Sequence, residues 1–142
     1  MNQERLIKII QDMSESVGDI KECMSIIEKG NDGSEAKFII YGLKQIFMDF
    51  FITVEDFTSI MLKELKKYKI GMDMKQGLEI LNAHHVLDEE LFIFLNKSRL
   101  MRNRIAHRYK EPSKEELLTF IEKYRMDFEK VLEIIKQYAV IE

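Results

Sequence analysis

The chain is poor in the residues that break, cross-link or bury it in a bilayer. It has one cysteine, one proline, six glycines and no tryptophan in 142 residues. A lone thiol, Cys23, closes no intrachain disulfide and fits a reducing cytoplasm; its setting is that of a small apolar residue on a helix. With Pro112 as the single proline, long uninterrupted helices are permitted almost everywhere. No run of about 18 apolar residues is present, so no membrane span is expected. The first residues, Met-Asn-Gln-Glu-Arg, lead into an amphipathic pattern and not into the apolar centre of a signal peptide. Alternating strand patterns, Gly-rich phosphate loops and internal repeats are also missing. What remains is a mix of 46% apolar and 33% charged residues with a formal charge of −3. That balance suits one globular domain with a real core and argues against non-specific coating of nucleic acid, while leaving room for a local basic site.

Apolar residues at Leu6, Ile9, Ile10, Met13, Val17, Ile20, Met24 and Ile27 step by three and four, which predicts a helix from Asn2 to about Lys29. Gly30-Asn31-Asp32-Gly33 reads as a turn, with Ser34 placed to cap a second helix running to about Lys67. Gly42 weakens that helix by up to ~1 kcal/mol without ending it. Phe47, Phe50 and Phe51 widen its apolar surface, as expected where two neighbours are covered; an aromatic ligand pocket is the less favoured reading. Asp49, Glu55 and Asp56 on the same helix read as solvated edge positions, with pairing to an arginine of the basic stretch as the other option. A short helix is expected from Met74 to about His84. Asp88 caps a long one from Glu89 to about Arg108, and Glu111-Pro112 stops it. Ser113-Lys114-Glu115-Glu116 is a capping box opening a last helix to about Tyr138, with Leu117, Phe120, Ile121, Tyr124, Phe128, Leu132 and Ile135 inward. The fold class is therefore all-α, an antiparallel four-helix bundle with one short additional helix.

The chemistry concentrates in Arg99–Lys110, which holds four of the six arginines, one of the three histidines and no carboxylate. Arginine presents a planar donor fork suited to phosphate, and histidine trades protons near neutral pH. On a continuous helix Arg102 and Tyr109 fall on or beside the apolar face set by Leu91, Phe94, Leu95, Met101 and Ile105. Asn103 and His107 point well away from it. An arginine aimed at a buried face needs a partner or an anion. Arg102 and His107 would stand about 140° apart round an unbroken helix. They meet only if the helix loosens near His107 or a second subunit brings its own copy. Lys97, Arg104 and Lys110 read more simply as solvated charges near a helix C-terminus. His84 and His85 are adjacent and diverge, so no metal pair is expected.

The run Arg102-Asn103-Arg104-Ile105-Ala106-His107-Arg108-Tyr109 resembles the signature of the HEPN superfamily, and with tyrosine two places after histidine it resembles the HepT toxin family. The resemblance extends to the bundle architecture, with the motif late in the chain, and implies one HEPN/HepT-like domain over residues 1–142. It implies a toxin that is a metal-independent endoribonuclease without a cofactor, acting on RNA and not DNA, and paired with an MNT-type nucleotidyltransferase antitoxin. Under it Arg102 is the phosphate clamp, His107 the acid/base and Asn103 a polar support; Arg99, Arg104 and Arg108 contact RNA phosphate. Cleavage through the ribose 2′-hydroxyl needs a base, an acid and cationic stabilisation of the phosphorane. One histidine per chain does not easily serve both ends, and the implied two-fold homodimer supplies a second. Tyr109 is implied to be the hydroxyl that receives AMP from the antitoxin, adding bulk and negative charge beside His107. The absence of a metal-ligand spacing is in keeping with a metal-free site. The competing expectation is a non-catalytic helical subunit that binds nucleotide, or docks a nucleotidyltransferase, through the same basic stretch.

Overall fold

The computed structural model describes residues 1–30 and 33–140. Among them the architecture is all-helical: α1 (Gln3–Glu28), α2 (Ser34–Glu64), α3 (Met74–Ala83), α4 (Glu89–Ala106), a 3-10 turn (Arg108–Lys110), α5 (Lys114–Lys123) and α6 (Arg125–Lys136). Contacts run from α1 to α2, α2 to α4, α4 to α6 and α6 back to α1, which makes these four the bundle, with α3 between α2 and α4. Ion pairs give the directions. The N-terminal amine meets Glu64 at the end of α2, and Glu28 at the end of α1 meets Arg125 at the start of α6. α1 is thus antiparallel to both.

Local chemistry sets most boundaries. Asn2 caps α1 and Asp88 caps α4 through side-chain oxygens on Arg5 and Leu91 N–H. Asp73 with Gln76, and Ser113 with Glu116, form capping boxes for α3 and α5. Ser34 does not cap α2: the N-cap is Gly33, at φ +74°, a conformation glycine adopts without strain. Asn31 and Asp32, the centre of the expected turn, lie outside the described residues. α2 ends at Glu64, three residues before the expected Lys67. The expected last helix is two helices, because Tyr124 (φ −104°, ψ 18°) interrupts it while its ring packs 5.2 Å from Phe94 and 5.0 Å from Phe120.

The core is aromatic at its centre. Phe47, Phe50, Phe51 and Phe94 are fully buried and Phe128 nearly so. Phe47 meets Phe120 and Phe128, while Phe50 meets Phe94 and Phe128, with ring centroids 4.9 to 6.4 Å apart. α2 therefore covers two neighbours, and its wide apolar surface is packed core and not a ligand pocket. Truncating one such ring costs roughly 3–5 kcal/mol. α3 lies tight on α2 at Gly77, where an added Cβ would come 3.0 Å from Thr58 Cγ2. That close approach holds α3 against α2. No helix among the described residues is long and apolar enough to cross a membrane.

Candidate active site at the end of the fourth helix

α4 stops at Ala106, two residues before the expected Arg108. His107 leaves the helix at φ −110°, ψ 105°, its N–H still donating to Asn103 O at 3.2 Å. The 3-10 turn follows, and Glu111 adopts the extended conformation that a residue before proline prefers. Two ion pairs hold this turn. Arg104 donates to Glu116 at 2.7 Å and to the Lys110 carbonyl at 3.1 Å, and Lys44 on α2 meets Glu111 at 2.5 Å. The Arg104 guanidinium and the Ser113 backbone N–H hold the Glu116 carboxyl down at about 2. Lys44 holds Glu111 below the usual carboxylate range in the same way.

Arg102, still inside α4, is half-buried. Its Nη2 lies 3.4 Å from Glu55 Oε1, and its guanidinium carbon is 5.9 Å from the centre of the Phe51 ring. Its Nε is buried and has no hydrogen-bond partner among the described residues. A desolvated charged donor without an acceptor is poised to take one. Arg102 lines a cleft of about 290 Å³ with Arg99, Asn103, Lys75 and the start of α3. Arg99 is turned onto Asn96, at 3.1 and 3.0 Å.

His107 does not line that cleft. It is exposed, and its imidazole makes no hydrogen bond among the described residues. Its nearest ring is Tyr109, 5.9 Å away at 45°. Tyr109 is 81% exposed, with Lys110 Nζ 5.6 Å from its ring, so it stands free of the apolar face on which a continuous helix would have put it. Arg108 forms no ion pair among the described residues. Of the expected site residues, one chain thus gathers Arg99, Arg102 and Asn103 in a cleft. His107, Arg108 and Tyr109 form an exposed group just past the helix end. Arg104 is engaged as a strut. Glu55 is the carboxylate that pairs with an arginine of the basic stretch, the second of the two readings open to it from the sequence, in place of a solvated edge position. It follows the buried Phe51 by four residues, on the face where Arg102 needs a partner.

The sequence model of the Ribonuclease HepT-like family matches residues 13–136, from the first helix to the end of the last. The chain belongs to the HepT-like ribonuclease family. No curated protein and no solved structure matched it. Within this HepT-like chain no group of three or more His, Cys, Asp or Glu side chains among the described residues is arranged to hold a metal ion.

Proposed function

We propose that this HepT-like protein is the toxin of a toxin–antitoxin pair and cleaves RNA without a metal ion. The observation that carries the proposal is the way α4 ends: a half-buried guanidinium with an unpartnered Nε, then an imidazole released from the helix and open to solvent. In the reaction a ribose 2′-oxygen attacks the adjacent phosphorus. A base takes the 2′-hydroxyl proton, the O2′–P bond forms and the P–O5′ bond breaks. An acid delivers a proton to the departing 5′-oxygen, leaving a 2′,3′-cyclic phosphate and a 5′-hydroxyl. Arg102 clamps the phosphate and stabilises the charge on its non-bridging oxygens, worth several kcal/mol where water is excluded. His107 acts as base or acid, and Asn103 lends polar support.

Because His107 lies outside the Arg102 cleft of its own chain, the proposal includes a two-fold homodimer. Each copy then supplies a histidine, one as base and one as acid. Glu55 keeps the Arg102 fork oriented through Nη2 and leaves Nε free for RNA phosphate. Arg99 and Arg108 add phosphate contacts at the rim, and Arg104 contributes mainly by holding the turn.

The off-switch is modification of Tyr109 by an MNT-type nucleotidyltransferase antitoxin. The exposed phenol attacks the α-phosphorus of ATP, an Oη–P bond forms and pyrophosphate leaves. The adenylate then places negative charge and bulk two residues from His107. Mass spectrometry of toxin co-expressed with the cognate antitoxin tests the switch. The peptide containing Tyr109 gains adenylate, and Tyr109→Phe stays unmodified. A wild-type peptide left unmodified beside an active antitoxin contradicts it.

A further inference from the structure

The cleft at Arg102 is the first of three that adjoin. The second, about 270 Å³, shares Asp73 and Met74 with it and is lined by Tyr68, Glu55 and Asp56. The third, about 580 Å³, shares Met72 with the second and is lined by Lys69 and Ile70. Together they lead from Arg102 along the start of α3 to the α2–α3 connection. That connection is basic in a protein that is acidic overall: Lys63, Lys66, Lys67 and Lys69 fall within seven residues. Glu64, the one acid among them, is taken by the N-terminal amine. None of those four lysines, nor Lys75 beside Arg102, has a carboxylate at ion-pair distance among the described residues. Tyr68 is 46% exposed with Lys63 Nζ 5.1 Å from its ring, and Ile70 is 96% exposed.

We infer that this connection is a track for single-stranded RNA, holding the nucleotides that flank the phosphate bound at Arg102. The inference rests on the ribonuclease reading above. Unpaired cations interleaved with an exposed aromatic ring are the means by which a protein holds a strand without reading its sequence. The lysines at the far end take phosphates, and the π-face of Tyr68 takes a base. The middle cleft sets Arg5 among Glu55, Asp56 and Asp73, a cation for phosphate beside carboxylates that accept hydrogen bonds from base amino groups. The strand passes the middle cleft with its bases toward the carboxylates and its backbone toward Arg5, Lys75 and the lysine run. Lys66 is held at φ +58° and Lys67 N–H donates to Leu62 O at 2.8 Å, so the run is anchored to the end of α2.

The test uses full-length protein carrying His107→Ala, so that bound RNA is not consumed, and fluorescence anisotropy across a salt series. The probes are a uridine dinucleotide and an oligouridylate of about twelve nucleotides. The longer strand is expected to bind at least about 10-fold tighter than the dinucleotide, since each added phosphate contact releases counterions. Lys66→Gln/Lys67→Gln/Lys69→Gln removes most of that length advantage and reduces the slope of log K against log salt by about 2. The matching lysine-to-arginine triple keeps both. Tyr68→Ala weakens the longer strand by about 5-fold or more, and Tyr68→Phe does not. Circular dichroism melts show that the variants fold. A length advantage undiminished in the Gln triple overturns the track while leaving the ribonuclease reading standing. Failure of both probes to bind at low salt overturns the track and the ribonuclease reading together. Lysine-dependent binding to phosphatidylserine vesicles, with oligouridylate affinity indifferent to the lysines, overturns the track in favour of a lipid surface.

Discussion

Arg102 and His107 are five residues apart, yet the molecule treats them in opposite ways. Arg102 is drawn onto the bundle, against the Phe51 ring and the Glu55 carboxylate, with one nitrogen desolvated. His107 is let go by the helix and touches little besides Tyr109. The difference separates two demands on a phosphoryl-transfer site. A cation that stabilises developing charge must be preorganised in a dry place, whereas a group that moves protons must reach its substrate. On the proposed function the bundle supplies the first, and the broken end of α4 the second.

Mutations that break this contrast come first by size. His107→Ala and Arg102→Ala are each expected to slow RNA cleavage by about 10²–10⁴-fold in a gel assay with labelled RNA. His107→Ala should leave the thermal midpoint nearly unchanged, because an exposed side chain without hydrogen bonds contributes within about ±0.5 kcal/mol. Phe94→Ala is the opposite case, losing roughly 3–5 kcal/mol of stability in urea unfolding. Glu55→Gln separates positioning from packing. It is expected to lower kcat by about 10-fold through a less fixed guanidinium while KM falls or holds. Its effect on stability stays below about 1 kcal/mol, because both partners are roughly a third exposed. A rise in KM with kcat unchanged would make Glu55 a mere contact. Ser113→Ala, which removes the α5 cap, should cost about 0.5–2 kcal/mol with little change in the chemical step.

The smallest effect is in acid. Glu116 has its folded-state carboxyl at about 2 against an ordinary 4.5. A depressed acid contributes stability that is complete above the unfolded value and disappears as pH falls through the folded one. Wild type and Glu116→Gln should therefore run parallel above about pH 4.5 and converge between there and about pH 2. Circular dichroism melts at successive pH values read this directly. Glu111 is held down by Lys44 in the same direction, so its hold on the 3-10 turn also weakens in acid.

The elements were legible where a local rule set them. Asp88 and Ser113 marked their helix starts through a side-chain oxygen, and the periodicity of α1 named its buried face. The interruption at Tyr124 was not legible, because no glycine or proline marks it and the apolar period runs straight through. It goes with contacts to Phe94, thirty residues earlier in the chain, that no local pattern encodes. In the site, Arg102 was conspicuous as a charge on an apolar face; its partner Glu55 lies in another helix, and the sequence offered it only alongside Asp49 and Asp56, with nothing local to choose among the three. The exposed setting of Tyr109 followed from α4 ending two residues early, which is within the ordinary uncertainty of a helix end.

The central claim is that the imidazole freed at the end of α4 carries out proton transfer in RNA cleavage. The most direct measurement is cleavage of labelled RNA by purified protein in excess EDTA, wild type beside His107→Ala at matched folded concentration. The account predicts that wild type yields 2′,3′-cyclic phosphate ends and that the variant is nearly silent. Cleavage by His107→Ala at the wild-type rate would contradict it.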